Sequence, residues 1–284
     1  MKACFNRKKS VPYAFLLPSL TGVTVFLLIP YADVFRRAFM TIGGEFAGVS
    51  NFIKVINNEA FLLAMKNTFL FMGLCIPVLM ILSLAIAIYI FDNPKWSSFF
   101  KTGFLIPMAI PVASAVLLWK MLFDYGGILN GILTASGHDP VNFMESSAAF
   151  FILVGSYIWK NLGYSIILWL AALATMNRSS LEAAKLDGAG SIKAHLYVTM
   201  PYLKTSAFVI AVLSLLNSFK VFREAYLVAG DYPHKSIYLI QHLFNNWFRN
   251  LELDKIAAAS VIDSVILIIL IILLQYAWGR GERK

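Results

Sequence analysis

The sequence predicts an all-α membrane protein with six transmembrane helices, and three observations carry that reading. Hydrophobic residues make up 59% of the chain and charged residues 14%, against about 25% charged in soluble domains, and the mean hydropathy is +0.72. The apolar residues gather into about six runs, each near the roughly 20 residues that cross a hydrocarbon core as a helix. Lysine and arginine are shared unequally between the two sets of connecting loops. A β-barrel would instead show short alternating strands, whereas long apolar runs satisfy their own backbone groups as helices.

The predicted spans are residues 11–35, 63–91, 100–123, 148–176, 203–229 and 257–278. Gly22, Pro30, Gly73, Pro77, Pro107, Pro111, Gly155 and Gly163 fall inside them and are tolerated in membrane helices. After the first span, Gly43, Gly44 and Gly48 mark irregular backbone, followed by a short interfacial helix at 51–56. Asp92, Asn93, Pro94 and Lys95 form a tight turn, because proline stops the preceding helix. Residues 124–147 hold Gly126, Gly127, Gly131, Gly137 and Pro140 and are expected to be irregular around a turn of helix at 128–133. In residues 230–255, Tyr238, Leu239, His242, Leu243, Asn246 and Trp247 recur at helical spacing, the pattern of an amphipathic helix at the outer interface.

An even number of spans places both termini on one side. That side holds Lys2, Arg7, Lys8, Lys9, Lys95, Lys101, Arg178, Lys185, Lys193, Lys204, Arg280, Arg283 and Lys284. The other holds fewer cations, Arg36, Arg37, Lys54, Lys66, Lys235, Arg249 and Lys255, together with most of the acids. The richer side is expected to be cytoplasmic. Cations beside the spans meet anionic membrane lipid, so the net charge of +9 calls for no nucleic-acid partner. A basic start before an apolar run also fits a cleaved signal peptide, but this run extends to Arg36 without a clear small-x-small cleavage site.

Cys4 is expected in the cytosol and Cys75 within the second span, which excludes a structural disulfide between them. His138, His195, His234 and His242 are scattered, with no metal-ligand spacing. The organisation read from these features is an N-terminal segment with the first span and outer loop at 1–62, a transmembrane core at 63–279, and a cytoplasmic tail at 280–284.

A polar insert at 177–203 stands between the fourth and fifth spans. Ser179 or Ser180 is suited to cap a helix beginning at Leu181. Gly188 and Gly190 allow a turn, and the helix resumes over 192–198 until Pro201 opens the next span. Ala183, Ala184 and Ala189 are small enough for a second protein's backbone to approach closely, with Glu182, Lys185 and Asp187 at the rim. An amphipathic connector lying on the membrane accounts for the same spacing.

Polar groups within the spans are costly and face a cavity or a neighbouring helix. Ser214, Asn217 and Ser218 share one helical face. Leu162, Gly163 and Tyr164 place a gap beside an aromatic hydroxyl, a combination that stacks on a sugar ring and bonds its hydroxyls. Simple helix-to-helix bridging explains these residues as well. Among the charges, Lys220 is expected to pair with Glu224, and Lys160 or Arg223 with Asp263, the alternative being a proton relay.

The run E-A-A-x-x-D-G-A from Glu182 to Ala189, followed by Met200 and Pro201, resembles the EAA loop of inner-membrane permeases in bacterial ABC importers, where the usual ending is Leu-Pro. Residues 12–38 resemble the first span of carbohydrate permeases, residues 51–71 their Asn-Phe…Asn-Thr stretch, and residues 126–133 their Gly-Gly-x-x-Asn segment. The likeness covers nearly the whole chain and is greatest to the group that includes the larger maltose permease subunit. Where that group has Gly-Gly-Pro after the fifth span, this chain has Gly230, Asp231, Tyr232 and Pro233, and Val221 stands in place of a second Asn.

The resemblance implies a type I ABC importer permease fold in a bacterial cytoplasmic membrane, with both termini cytoplasmic. It implies that Glu182, Ala183, Ala184, Asp187 and Gly188 couple to a groove on an ATPase, and that Leu162, Gly163, Tyr164, Ser214, Asn217 and Ser218 line the path of a sugar or oligosaccharide. The implied partners are a second permease subunit, two ATP-binding-cassette ATPase subunits and an extracytoplasmic solute-binding protein. The chain has no Walker-type phosphate loop. It is therefore expected to be no enzyme and to bind no cofactor, ATP and Mg being used by the partner ATPases. Other readings are an ABC permease for an organophosphate or peptide, an ion-coupled secondary transporter exploiting Asp263 and Lys160, or a membrane enzyme, which would need a convergent catalytic set.

Overall fold

A computed structural model describes residues 7–279. Lys2, Cys4 and the expected tail at 280–284 lie outside the described residues. Among the described residues, six helices are long and apolar enough to cross a membrane: α1 (Phe15–Ala38), α3 (Glu59–Asp92), a third at Val112–Ala135, α7 (Ala148–Ala174), α10 (Lys204–Ala229) and a sixth at Leu253–Trp278, the body of α12 (Leu253–Gly279). Shorter helices lie between them: α2 (Ser50–Ile56), α4 (Ser97–Ala109), α8 (Arg178–Leu186), α9 (Ser191–Ala194) and α11 (Ile240–Arg249).

The number of spans matches the expectation, but the third is not continuous over 100–123. The chain leaves helix after Ala109 and resumes as α5 (Val112–Phe123), then turns at Gly127 into α6 (Ile128–Ala135). Pro111 sits at ψ 146°, extended rather than helical. It has no amide to donate, and its ring disfavours helical backbone at Ile110 before it, so the break follows from its chemistry. Pro107 is accommodated inside α4.

Prolines leave a second mark. The i→i+5 turns Thr24–Leu28 and His195–Thr199 each close on the residue just before a proline, with Ile29 N–H donating to Thr24 O ahead of Pro30 and Met200 N–H donating to His195 O ahead of Pro201. Widening the helix there relieves the crowding that a proline ring imposes on the carbonyl one turn back.

The described residues fall into two compact units, one running to Asn58 and including Trp247–Ile268, the other comprising Glu59–Asn246 and the residues from Ile269. In the first, Asn51 is fully buried, and its Nδ2 donates to Ala38 O (3.2 Å) and Met40 O (2.8 Å), tying α2 to the turn that follows α1. Asp33 accepts from Arg36 (2.8 Å) and Arg37 (2.6 Å) near the end of α1.

The second unit is organised by α3 and α7 packed along each other. One apolar cluster joins Phe71, Cys75 and Leu79 to Leu153, Tyr157, Ala225 and Ile237. Another joins Ala87 and Ile90 to Ile166, Trp169, Leu173, Leu203 and Ile210. Two polar groups inside this packing bond across helices: Trp169 Nε1 donates to Ser83 Oγ (3.0 Å), and Tyr157 Oη donates to Ser214 O (2.7 Å). Gly163 lets α4 cross α7 at close range, for a Cβ at that position would overlap the Phe104 carbonyl.

At the far end of α3 from Asp92, Asn67 Nδ2 donates to Lys235 O (2.6 Å) and Tyr238 O (3.0 Å), and Thr68 Oγ1 accepts from the Ile240 amide (3.0 Å). The face of α11 predicted to rest on the membrane interface is buried in protein: Leu239, His242, Leu243 and Asn246 are all inaccessible or nearly so. His242 Nδ1 accepts from the Leu239 amide (3.2 Å), its Nε2 has no partner among the described residues, and Phe222 meets its ring edge-on at 4.8 Å. Burial lowers its pKa to about 4. Asn130 closes the α5–α6 turn, with Nδ2 donating to Tyr125 O (3.1 Å), and ties it to the loop beyond α6, with Nδ2 donating to Val141 O (2.8 Å) and Oδ1 accepting from Val141 N (2.8 Å).

Candidate functional site

The polar insert forms two helices around one turn. Asn177 Oδ1 accepts from the Ser179 amide (3.1 Å) and hydroxyl (2.9 Å). Asn177 is therefore the cap, not Ser179 or Ser180, and α8 begins at Arg178 rather than Leu181. A side-chain oxygen placed just ahead of the helix reaches its second amide, which a serine already inside the first turn does not. At the other end, Ala189 N–H donates to Ala184 O (3.0 Å) across Gly188, which lies at φ +84°. This is a Schellman closure, and its left-handed position suits glycine. Gly190 has φ −62° and needs no such freedom.

Of the small residues expected to face a partner, Ala184 and Ala189 instead turn inward against Met176, Leu181 and Ala194, because they share the apolar face of α8 and the turn. Glu182, Ala183, Leu186, Asp187 and Gly188 are exposed. The Lys185 side chain lies outside the described residues. Leu186 is 88% exposed, and Ile192 and Tyr197 are 76% and 78% exposed. Large apolar side chains clustered on a charged surface mark a protein-binding or membrane-contact face.

This element is braced from below its turn by residues that sequence reasoning missed. His195 places Nε2 3.0 Å from Asp92 Oδ2 at the end of α3 and Nδ1 3.1 Å from Thr199 Oγ1. The Arg178 guanidinium stands 4.5 Å over the Phe91 ring, and Tyr202 Oη donates to Thr175 O (2.8 Å) at the end of α7. The insert as a whole is therefore tied to α3 and to the end of α7. No local signal pointed to His195 and Asp92, which are 103 residues apart.

A cavity of about 330 Å³ opens between α7, α10 and the α4–α5 break. Irregular backbone at membrane depth is stable where it lines such a space, which accounts for the break at Ile110 and Pro111 forming one wall. The polar wall is Ser156, Tyr157, Lys160 and Asn161 from α7 and Asn217, Lys220, Arg223 and Glu224 from α10. Lys160 stands roughly 18 Å along the 27-residue α7 from Ala148. At that depth an uncompensated lysine or arginine costs about 2.5–3.5 kcal/mol.

The charges pair differently from the expectation. Lys160 Nζ lies 2.7 Å from Glu224 Oε1, with side chains only 17% and 8% exposed, and Lys220 Nζ donates to Asn217 Oδ1 (2.7 Å). Glu224 follows Lys220 by one helical turn but turns into the protein toward α7, while Lys220 remains exposed. Glu224 Oε2 and Trp119 Nε1 are buried without a hydrogen-bond partner among the described residues. Arg223 is exposed on the cavity wall.

Of the residues expected to line the substrate path, Asn217 lines this cavity. Ser214 and Ser218 are buried in packing, the Ser218 hydroxyl donating to Leu215 O (2.6 Å) within its own helix. Gly163 is taken up by the α4 crossing, Leu162 packs between the two apolar clusters, and Tyr164 is half-buried away from the cavity lining. Among the described residues no group of His, Cys, Asp and Glu is placed to hold a metal ion.

No family model matches the sequence. The probable ABC transporter permease protein YurN of Bacillus subtilis (strain 168) is 31% identical over 279 residues, covering 93% of this chain and 93% of that protein. The sn-glycerol-3-phosphate transport system permease protein UgpA of Yersinia pestis is 29% identical over 282 residues, covering 96% of this chain and 95% of its own length. Among solved structures, a bacterial ABC transporter involved in the import of the acidic polysaccharide alginate superposes with TM-score 0.84 at 22% identity, covering 96% of both chains. The alginate transporter in complex with its alginate pentasaccharide-bound periplasmic protein gives TM-score 0.83 at 21% identity, covering 98% of this chain and 97% of that one.

Proposed function

The chain belongs to the permease subunits of ABC transporters, and on that footing we propose that it forms half of the path by which a sugar or oligosaccharide crosses the cytoplasmic membrane, driven by ATPases seated on α8. The observation that carries this reading is the exposed face Glu182, Ala183, Leu186 and Asp187 on a helix that meets α3 through Arg178 and Phe91, in an insert tied to α3 by His195 and to the end of α7 by Tyr202. A docked ATPase that moves α8 would move those spans as levers. ATP and Mg are used in two ATPase subunits, and this chain binds neither.

The proposed orientation has α8 and both termini in the cytoplasm, supported by the excess of Lys and Arg in the loops on that side. The remaining partners are a second permease subunit, which completes the path, and an extracytoplasmic solute-binding protein, in keeping with the periplasmic protein of the alginate transporter. A carbohydrate substrate is supported by the alginate importers of the same fold and by a cavity wall that mixes amides, hydroxyls and charge.

The test is uptake by proteoliposomes holding the complete complex, with the solute-binding protein supplied. Accumulation of sugar should require ATP and the ATPase subunits and survive collapse of ion gradients. Uptake that persists without the ATPases and follows an ion gradient would establish secondary transport instead.

A further inference from the structure

We propose that the cavity between α7, α10 and the α4–α5 break selects an anionic carbohydrate, a sugar bearing a carboxylate or a phosphate ester; this rests on the permease reading and narrows its substrate. Among the lining residues Lys160, Lys220 and Arg223 carry positive charge and Glu224 negative charge. Glu224 is committed to Lys160 at 2.7 Å. Lys220 is held by a neutral acceptor, Asn217 Oδ1, at 2.7 Å, and Arg223 lies exposed on the same wall. The space thus carries a cationic surplus on adjacent turns of α10.

A cationic surplus at membrane depth is unfavourable by itself and is retained where it faces a solute path. A carboxylate built into the wall would cancel it permanently. An anionic solute cancels it only while bound, which is what a path that must load and empty requires. Asn217 offers Lys220 a dipole, which a charged oxygen can displace in a stronger, charge-assisted bond. The Arg223 fork suits the paired oxygens of a carboxylate or phosphate. Asn161 and Asn217 supply donors and acceptors for ring hydroxyls, and a volume of about 330 Å³ is at the small-ligand end of binding cavities.

The experiment is isothermal titration of the complete complex in nanodiscs, without nucleotide, using glucuronate, its methyl ester, glucose 6-phosphate and glucose. At least one anion should bind about 10-fold more tightly than its neutral counterpart, with the preference shrinking as salt rises. The glucuronate and glucose 6-phosphate arms separate carboxylate from phosphate recognition. Lys220→Gln and Arg223→Gln should each weaken the anion far more than its neutral counterpart and so erase most of that preference, and Arg223→Lys should restore part of it. Equal binding of charged and neutral probes, undetectable binding of both anions, or an equal loss for all probes in the variants overturns the proposal. ATP-dependent uptake of a neutral sugar alongside any of those results leaves the permease reading standing, whereas anion preference without ATP-dependent uptake overturns that reading alone.

Discussion

The α8 turn and the charged cavity are both set between α7 and α10, yet they are held by interactions of opposite range. At the turn, Asn177 bonds Ser179, Ala189 bonds Ala184, and Gly188 at φ +84° joins them, all within a dozen or so neighbours along the chain. At the cavity, Lys160 meets Glu224 across 64 residues of sequence, and on the same helix Gly163 admits the close approach of Phe104 from α4. A local device tolerates a loaded, moving surface, since its geometry survives displacement of the spans. A long-range device holds only while the spans that carry its two halves stay together.

The strongest way to break this comparison is to remove one charge from the cavity. Glu224→Gln leaves Lys160 buried without its carboxylate and should destabilise the complex by about 3–5 kcal/mol, read by thermal unfolding in detergent. Adding Lys160→Met should recover most of the loss, since replacing a whole buried pair is far less costly than halving it. If Glu224→Gln alone is neutral, the cavity does not depend on long-range pairing.

The α11 segment extends the contrast to a buried neutral group. His242 falls from its ordinary 6.5 to about 4 because burial disfavours the imidazolium. Above 6.5 both folded and unfolded chains hold it neutral. As pH drops from 6.5 toward 4 the unfolded chain takes a proton and the folded chain does not, so stability falls by on the order of 1.4 kcal/mol per pH unit across that window. Hydrogen exchange of residues 239–246 should quicken over this range in the native chain and stay flat in His242→Asn.

The local device is tested by Gly188→Val. A β-branched residue in the left-handed region is strained by about 1–2 kcal/mol, so the complex should still assemble while uptake per ATP hydrolysed falls several-fold. Normal coupling in this variant would remove the turn from the mechanism. The smallest effect is expected at the brace: the Asp92–His195 pair is partly exposed, with side chains 30% and 10% accessible, and Asp92→Asn should cost about 0.5–1 kcal/mol. Its signature would be slower transport with little change in thermal stability.

The same division by range decides what could be read from residues alone. The E-A-A-x-x-D-G-A run announced a helix, a turn and Gly188, because capping and left-handed turns are written in neighbouring residue types. Six spans were legible from apolar length. The α4–α5 break was present in Pro111 but was masked by the tolerance of membrane helices for proline, which Pro107 inside α4 illustrates. The cavity wall was not legible. In a soluble helix the polar stripe reports which side faces outward, but α7 and α10 are apolar toward lipid and toward neighbours alike. Ser214 and Ser218 consequently looked like a path-lining stripe when they turn into packing, and Glu224 looked like the partner of Lys220 when it reaches Lys160. Ala184 shows a related ambiguity: a small side chain reads the same whether it admits a partner or fits a tight contact.

α3 is a single uninterrupted helix of 34 residues, roughly 51 Å long. Asn67 and Thr68 near one end grip the 235–240 segment, and Asp92 at the other end grips His195. Its two handles stand roughly 36 Å apart along the rod, more than the roughly 30 Å thickness of a hydrocarbon layer. A push on one handle arrives at the other without passing through a side-chain relay. The two grips are therefore coupled as two hands on one bar, and a cross-link that pins either handle should restrain the other.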